Sequence, residues 1–346
     1  MKFKNLVIIF TSNNEEGLVK CFNSIWQQEE KPDQVLIVDN SKDEYSFYKK
    51  DSFKKNNHIH LIKNLSHPSI SFNTSRQMAL RYVSENEFDL IILCEDDAYY
   101  DIGFVSNVKK SFARGNHLMM YKIKPNPEFN YDYRTDFVKD LGHYNLEFSL
   151  TDYGDKSKII DPKYVFNSYA FSKQIFENSK GWRPDYYGSD LFLYTSGGES
   201  EFALDMAQYT KKIEYVANAI MYHDKREKRL NNKFFTYRYA VFGVDSGWKF
   251  IKENSLGNIF YINLKLLVLS LLIKSIRIVL RKNAWRVWIY LQLIRSYHKY
   301  LLFYYYKSSQ DLIDFDLTYN DMDWNEFDFK NLKPIDYKSW KPLIHS

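Results

Sequence analysis

The sequence predicts an α/β fold with a mostly parallel mixed sheet flanked by helices, and three observations support this fold class. Four short segments are apolar and rich in β-branched residues, as expected of strands buried on both faces: residues 6–11, 34–41, 58–64 and 90–97. Helical patterns follow the first and the third of these segments. Strands that alternate with helices indicate βαβ units and parallel neighbours.

The first helix is predicted directly after the first strand, in residues 12–28. Its apolar residues recur at helical spacing: Leu18, Phe22, Ile25 and Trp26. Residues 12–14 (Ser-Asn-Asn) are candidates for the N-cap, and Glu15 and Glu16 would lie in the first turn. A second helix is predicted in residues 69–83, with Ala79 among its inward-facing residues.

The second half of the chain has weaker patterns. Residues 101–187 are rich in Tyr, Asn and Asp, and within them residues 163–182 predict a strand that leads into a short helix. Gly197 and Gly198 permit a sharp turn before a helix through Phe202, Leu204 and Met206. A strand is then expected near residues 213–216, and the segment "AIMYHD" (residues 219–224) completes this stretch.

Carboxylates follow two of the predicted strands. Asp39 ends the second strand, and Glu95, Asp96 and Asp97 end the fourth. Ligands of open parallel sheets bind beyond the carboxyl ends of the strands. Adjacent like charges repel, so either the three acids end the strand in solvent or a positively charged partner lies beside them. No G-x-G-x-x-G follows the first strand and no G-x-x-x-x-G-K-[ST] occurs, which disfavours a dinucleotide-binding fold or a P-loop.

The order of these motifs resembles family 2 glycosyltransferases of the GT-A fold, which are inverting enzymes with nucleotide-diphosphate sugar donors. The motifs are a Thr-x-Asn-x-Glu after the first strand, "VDNS" after the second, "SFNTSRQMA" at a helix start, the "EDD" triplet, and later "GGESEF" and "YHD". The resemblance covers residues 4–238. Bacterial enzymes of this family assemble surface polysaccharides.

The resemblance implies a role for each donor-side residue. The "EDD" triplet matches the D-x-D motif, so Asp97 is expected to bind a divalent Mn²⁺ or Mg²⁺ ion, and His223 supplies a further metal contact. The remaining residues are expected to bind the nucleotide-sugar: Thr11, Asn13, Glu15, Asp39, Asn40, Arg76, Glu95 and Asp96. Of these, Asp39 matches the acid that hydrogen-bonds a pyrimidine base, which favours a UDP- or dTDP-sugar, and Arg76 is placed to reach the phosphates.

Inversion by direct displacement needs a base on the acceptor hydroxyl. The family places a carboxylate at the start of a helix, and here the matching segment is "GGESEF". Many relatives have Asp where this chain has Ser200. The resemblance therefore favours Glu199 as the base, with Glu201 as the second candidate, and a helix N-terminus would help to keep either of them ionised.

Composition limits the cellular setting. The two cysteines, Cys21 and Cys94, lie in apolar segments without metal-ligand spacing, which predicts reduced core residues and fits a cytoplasmic chain. The apolar run in residues 6–10 is too short for a signal peptide, and no small-residue cleavage site follows it.

The carboxy-terminal third has an uneven charge distribution. Residues 254–310 contain no Asp or Glu but nine Lys and Arg, whereas residues 311–330 contain seven acids and one Lys. Between residues 265 and 274, both Lys, only eight apolar or neutral residues are uninterrupted, too few for a membrane-spanning helix. A basic face beside an aliphatic face predicts a helix lying on anionic lipid, and a helical pair packed on the catalytic domain is the alternative.

The predicted organisation is therefore a GT-A domain in residues 1–245, a basic amphipathic helical segment in 246–310, and an acidic aromatic tail in 311–346. The expected location is cytoplasmic, peripheral on the inner face of the cell membrane, with a growing lipid-linked glycan of lipopolysaccharide or capsule as acceptor. The tail could fold back on the basic helices or pair with a second protomer in a homo-oligomer.

Two other functions are consistent with the pattern. A nucleotidyltransferase of related architecture also needs paired acids, but it usually has a Gly-rich basic loop after the first strand, which "TSNNEEG" is not. A catalytically inactive scaffold at the membrane would explain Ser200. Nucleic acid is not an expected partner, because the cations of the basic segment alternate with long aliphatic residues.

Overall fold

A computed structural model describes residues 3–41, 43–50, 53, 56–63, 72–127, 150–165, 168–179, 181–182 and 198–223, together with short helical pieces between residues 261 and 272. Its centre is a nine-stranded sheet. The predicted α/β class with a mixed sheet is confirmed.

Four parallel strands form the first half of the sheet, in the order β3-β2-β1-β4. Their bounds are β1 (Asn5–Thr11), β2 (Gln34–Asp39), β3 (Ile59–Lys63) and β4 (Leu90–Glu95). Every residue of β1 is buried, because helices cover both faces of the sheet and β1 lies between β2 and β4.

The second half of the sheet is largely antiparallel. It continues as β4-β8-β6-β9-β5, and β7 pairs with β9. The bounds are β5 (Ala98–Tyr100), β6 (Leu118–Pro125), β7 (Lys158–Ile159), β8 (Tyr169–Ser172) and β9 (Ile213–His223). Among the described residues only β6 and β9 pair in parallel here, so the described sheet has four parallel and four antiparallel pairings. A mostly parallel sheet is therefore correct only for the first four strands.

Helices cover both faces of the sheet. They are α1 (Glu15–Trp26), α2 (Phe72–Glu85), α3 (Phe104–Ala113), α4 (Lys173–Phe176) and α5 (Gly198–Ala207), with two 3₁₀ turns at Ser46–Lys49 and Pro162–Tyr164. Residues of α1 and α3 share one apolar core with alternate residues of β1, and residues of α2, α4 and α5 share the other. The alternation along β1 follows from the two-residue period of a strand.

Local details refine the predicted elements. Asn14 is the N-cap of α1, because its side-chain oxygen accepts a hydrogen bond from the backbone N–H of Gly17 at 3.3 Å. Helix α3 was not predicted, although Phe104, Val105 and Val108 provide its buried face. The strand expected near residues 213–216 is longer than predicted, because β9 continues to His223. Its pairing with β6 contains a register shift between Tyr121 and Lys122.

The predicted segments 246–310 and 311–346 lie almost wholly outside the described residues, so that part of the domain organisation stays a prediction. Within the described part of the chain, no helix is both long and apolar enough to cross a membrane.

Candidate active site

The carboxyl ends of β1, β2 and β4 meet at one edge of the sheet. The parallel register places Thr11 opposite Asp39 and Phe10 opposite Glu95. Three segments that are distant in the sequence therefore place polar side chains at the same edge, as expected for an open parallel sheet.

Asp96 connects the acidic triplet to the start of α1. Its carboxylate accepts hydrogen bonds from the Thr11 hydroxyl at 2.7 Å and from the backbone N–H of Ser12 at 3.2 Å. Its backbone carbonyl accepts a bond from the Asn14 side chain at 3.2 Å. Burial, followed by the neighbouring charge of Asp97, raises the pKa of Asp96 to about 7.

Asp39 is completely buried and has polar partners on both carboxylate oxygens. Oδ1 accepts a bond from the backbone N–H of Ser41 at 2.6 Å, and Oδ2 accepts bonds from the Tyr48 hydroxyl at 3.0 Å and the Lys63 ammonium at 2.9 Å. Asp39 therefore organises the loop after β2. A contact with a nucleobase stays a prediction.

The hydroxyl of Tyr45 joins the loop after β1 to the loop after β2. It accepts a bond from the backbone N–H of Asn14 at 2.6 Å, lies 3.3 Å from the Thr11 hydroxyl, and is bonded to the Ser41 hydroxyl. The Ser41 hydroxyl also accepts a bond from the backbone N–H of Asn13 at 2.8 Å. Tyr45 was not among the predicted site residues.

Asn40 and Glu15 hold the same two loops. The backbone N–H of Asn40 donates to the carbonyl of Thr11 at 2.9 Å. The Glu15 carboxylate accepts bonds from the Ser46 hydroxyl and the Phe47 N–H, both at 2.6 Å. The bond from Ser46 lowers the pKa of Glu15. Both residues thus have structural partners, and their predicted nucleotide contacts are untested.

Asp97 and His223 lie next to each other, whereas their metal-binding role stays a prediction. The strand pairing of β5 with β9 places Ala98 opposite His223, so that Oδ1 of Asp97 lies 3.2 Å from Nε2 of His223. Both side chains are largely buried, at 18% and 7% exposure.

The donor set of this pair fits a divalent cation that also takes oxygen ligands from phosphates and water. No cluster of three or more His, Cys, Asp or Glu residues suited to a metal occurs in the described ranges. Asp97 and His223 would therefore supply fewer than half of the about six ligands that such an ion takes.

Arg76 is buried between two carboxylates. Its Nη2 donates to Oε1 of Glu95 at 2.9 Å and to Oε1 of Glu199 at 2.6 Å. The guanidinium lies 5.0 Å from the ring centroid of Phe10 and 4.7 Å from that of Trp182. The described partners of Arg76 are thus acids and aromatic rings, and its predicted contact with donor phosphates stays a prediction.

The two predicted bases differ in what the structure describes. Glu199 lies in the first turn of α5, its side chain is 28% exposed, and its backbone carbonyl accepts a bond from the Tyr169 hydroxyl at 2.9 Å. Glu201 lies in the same helix, but its side chain is outside the described set.

Glu95, the other acid that Arg76 contacts, has a shifted pKa. Burial raises the pKa of Glu95 well above its usual range, although the Arg76 charge opposes this.

Sequence reasoning missed several residues that shape the site: Ser41, Tyr45, Tyr48, Lys63, Tyr169 and Trp182. Lys63 could have been predicted from the sequence, because it lies near the end of the predicted strand that follows the one ending in Asp39. The parallel pairing of β2 with β3 places the two residues opposite each other. The tyrosines had no such signal, since the residues around a Tyr do not show whether its hydroxyl is bonded in a core or in a site.

Comparison with known proteins identifies the family. The family described as Glycosyl transferase family 2 matches residues 6–177, which hold β1 to β8 and α1 to α4. Comparison with curated proteins finds no significant match.

One solved structure supports the fold. The mannosyltransferase PcManGT from Pyrobaculum calidifontis in complex with GDP-Man and Mn²⁺ has a TM-score of 0.51 at 14% identity, over 90% of this chain and 89% of that one. S. aureus TarS 1-349 in complex with UDP-GlcNAc has a TM-score of 0.49 at 12% identity, over 96% of this chain and 98% of that one. By the match over residues 6–177, the chain belongs to glycosyl transferase family 2, and it is a glycosyltransferase.

Proposed function

We propose that the protein transfers a sugar from a nucleotide-diphosphate donor to an acceptor hydroxyl with inversion at the anomeric carbon. The observation that carries this proposal is the convergence of three groups at one sheet edge: the loops held by Asp39 and Asp96, the Asp97–His223 pair, and the Glu199 carboxylate at the start of α5. They correspond to what the reaction needs, which is a nucleotide pocket, a place for a cation, and a base.

The cation site is proposed at Asp97 and His223, whose facing O and N atoms suit Mn²⁺ or Mg²⁺. When bound, such an ion neutralises the charge that develops on the diphosphate leaving group. The protein's own contribution is to hold the two ligands, through the β5–β9 pairing, beside the loop that carries Asp96.

A donor screen tests the proposal. Binding and hydrolysis of UDP-, dTDP- and GDP-sugars are measured with and without Mn²⁺; GDP-sugars are included because the similar mannosyltransferase structure contains GDP-Man. We expect Mn²⁺-dependent binding of one donor class, with UDP- or dTDP-sugars preferred. Binding of no donor, or binding indifferent to metal, contradicts the proposal. Transfer of a nucleotide instead of a sugar would favour the nucleotidyltransferase alternative.

The base assignment has its own test. Glu199→Gln removes proton acceptance while keeping hydrogen bonding, so kcat should fall by about 10²- to 10⁴-fold with donor affinity retained. Glu201→Gln is the matched control on the same helix. If Glu201→Gln loses turnover and Glu199→Gln does not, Glu201 is the base.

We further propose that the enzyme acts peripherally on an anionic membrane, on the cytoplasmic face of the inner membrane, with a lipid-linked surface glycan as acceptor. The acid-free segment of residues 254–310 supports this through its charge. So do the described helical pieces between residues 261 and 272, whose large apolar residues are exposed: Tyr261, Leu264, Val268, Leu269, Leu271 and Leu272. Apolar groups beside cations suit an interface rather than a spanning position.

Flotation of the full chain with vesicles tests this second proposal. Replacing Lys274, Arg277 and Arg281 by Gln removes three charges, each worth about 1 kcal/mol at an anionic surface, so binding should weaken by about 100-fold. A variant with Gln at Lys110, Lys211 and Lys212 has the same net charge and is the control. Equal binding of the two variants, or binding to neutral vesicles of phosphatidylcholine alone, contradicts the proposed anionic surface.

A further inference from the structure

We infer that Lys63 selects the base of the nucleotide donor by donating a hydrogen bond to a carbonyl oxygen of that base, and that Asp39 holds Lys63 in place without contacting the base. The bases that fit are uracil, thymine and guanine, which have a carbonyl where cytosine and adenine have an amino group. This inference rests on the proposed nucleotide-diphosphate donor, and it adds the class of base and the residue that selects it.

The carboxylate of Asp39 is inaccessible and already bonded. Its side chain is 0% exposed. Three donors of the protein surround it, from Ser41, Tyr48 and Lys63. A base could donate to Asp39 only after these neighbours had moved and had left their own donors without an acceptor, which is costly in a buried place. The structure therefore favours Asp39 as a partner of the protein's own donors.

The ammonium of Lys63 is partly accessible and has an N–H group available. It donates to Oδ2 of Asp39 at 2.9 Å and to the backbone carbonyl of Asp43 at 3.0 Å. An ammonium has three N–H groups, and within the described part of the chain these are the two acceptors bonded to them. Because the side chain is 21% exposed, a ligand can approach the third N–H.

The position of this ammonium is fixed before any ligand binds. The parallel pairing of β2 with β3 places Lys63 opposite Asp39, and its Nζ lies 5.8 Å from the ring centroid of Tyr45. A free lysine side chain has many rotamers, and ordering it costs conformational entropy. Since folding has already ordered Lys63, ligand binding does not bear this cost, and the residue can discriminate between ligands that differ in one hydrogen-bonding atom.

The position of Lys63 in the sheet agrees with the place expected for the base. The proposed cation site follows β4, and the order of the parallel strands from there is β4-β1-β2-β3. Neighbouring strands lie about 4.8 Å apart, so the end of β3 lies about 14 Å from the end of β4. In a nucleotide the ribose separates the base from the diphosphate. A diphosphate at the cation site therefore places the base towards β2 and β3.

A fixed ammonium distinguishes the bases by what they present to it. The third N–H of Lys63 can donate to the C4 carbonyl of uracil or thymine, or to the C6 carbonyl of guanine. Cytosine and adenine have an amino group at the same ring positions, so two donors would face each other and no hydrogen bond would form. One such contact discriminates between right and wrong bases by about 10- to 100-fold in affinity.

Calorimetric titration of the full chain with free nucleotides, in the presence of Mn²⁺, tests the inference. UDP is compared with CDP, and inosine diphosphate with ADP, because each pair exchanges a carbonyl for an amino group at one ring position. We expect the carbonyl member of the pair that binds to be preferred by about 10- to 100-fold. In Lys63→Met, which keeps the length of the side chain without its charge, this preference should largely disappear. A wild-type preference for CDP or ADP, or an unchanged preference in Lys63→Met, overturns the inference.

Two analogues of UDP distinguish Lys63 from Asp39 in the wild-type protein. 4-Thio-UDP has sulfur, a weaker acceptor, in place of the oxygen that Lys63 would bind, whereas 3-methyl-UDP lacks the N–H that could donate to Asp39. If Lys63 selects the base, 4-thio-UDP binds more weakly than UDP to the wild type and equally well to Lys63→Met. If 4-thio-UDP binds the wild type as well as UDP does and 3-methyl-UDP does not bind, Asp39 contacts the base and the inference is wrong. 6-Thio-GDP and 1-methyl-GDP take these places if guanine is preferred.

Folding of each variant is checked by thermal unfolding, because Lys63→Met leaves the buried charge of Asp39 without its cation. If this variant does not fold, Lys63→Met/Asp39→Asn removes that charge and takes its place, and the analogues still decide the question with the wild type. Lys49→Met is the matched control. Lys49 lies in the turn that follows β2, but its ammonium is in an exposed ion pair with Glu44, so the base preference should be unchanged.

The inference and the proposed function fail in different ways. If none of the nucleotides binds with or without Mn²⁺, the proposed function is wrong and this inference is wrong with it. If one of them binds and the donor screen finds its sugar donor, but folded Lys63→Met keeps the wild-type base preference, the inference alone is wrong and the transferase function stands.

Discussion

At the residue scale, single side chains of the site have several partners each, and this limits how they can be substituted. Asp39 has three donors around one buried carboxylate, and Tyr45 has three partners on one hydroxyl. Removing one such group leaves several polar atoms without a partner, and each buried unsatisfied group costs about 1–3 kcal/mol.

Asp39→Asn is expected to lower the free energy of unfolding by about 1–3 kcal/mol, because Lys63 and Tyr48 lose a charged acceptor. It should also weaken UDP binding, since the loop after β2 is no longer fixed. Urea unfolding and a UDP titration measure the two effects. Asp33→Asn is the control: Asp33 accepts a bond from the backbone of Asn5 at the other edge of the sheet, so it should lose stability with no change in UDP affinity. Equal UDP affinity in Asp39→Asn and wild type would contradict the role of this loop.

Tyr45→Phe removes only a hydroxyl, yet it should raise the Kd for UDP several-fold, because the loops after β1 and β2 lose their shared bond. Tyr215→Phe is the comparison, since its hydroxyl donates to the carbonyl of Gly154 away from these loops. Each variant should lose about 1 kcal/mol of stability. A similar Kd in both variants would mean that Tyr45 contributes only to stability.

At the element scale, the packing of α1 against the acidic triplet depends on a glycine. A Cβ at Gly17 would overlap the carbonyl oxygen of Asp96 and the side-chain nitrogen of Asn14. The first turn of α1 can therefore approach the end of β4 only because position 17 has no side chain.

Gly17→Ala is accordingly expected to destabilise the protein by about 1–3 kcal/mol, although alanine favours a helix by about 1 kcal/mol. Displacement of Asp96 should also reduce Mn²⁺-dependent UDP binding. Gly103→Ala, at the start of α3, is the matched control, since its nearest neighbour is the movable side chain of Asn107 at 3.2 Å. A more stable Gly17→Ala variant would show that α1 can shift without cost.

The predictable elements were those with local signals. β1, β2 and β4 are nearly continuous apolar segments, and α1 has both a cap and a periodic apolar face. The antiparallel half was harder to predict, because β7 has two residues, β8 has four, and β9 gains its length from its pairing with β6. Pairing partners so far apart in the chain leave no periodic trace in the sequence.

At the scale of the whole molecule, the site is assembled from both halves of the sheet. The parallel half supplies Asp39 and the acidic triplet, whereas the antiparallel half and α5 supply His223 and Glu199. Arg76 and Glu199 are 123 residues apart in the chain and in direct contact. The motifs that contain these two residues could be predicted from the sequence. Their contact could not, since it depends on how α2 and α5 pack.

The small number of protein ligands for a metal ion also determines how the affinities for metal and for nucleotide should depend on each other. The described ranges offer two adjacent ligands, Asp97 and His223, and a divalent ion with so few protein ligands is expected to bind weakly alone. Phosphate oxygens of a bound nucleotide would supply further ligands. We therefore expect UDP to raise the affinity for Mn²⁺ by at least about 10-fold, and Mn²⁺ to raise the affinity for UDP by the same factor, as linkage requires.

Calorimetric titration of the full chain in both orders measures the two factors. Asp97→Ala and His223→Ala should reduce the coupling towards unity while metal-free UDP binding is retained. Each should also lower the free energy of unfolding by about 1–3 kcal/mol, because the other member of the largely buried pair loses this contact. Asp89→Ala is the control, since Asp89 lies at the opposite end of β4, where it accepts a bond from the backbone of Lys4. Tight Mn²⁺ binding without nucleotide would contradict this expectation and would point to further ligands outside the described residues.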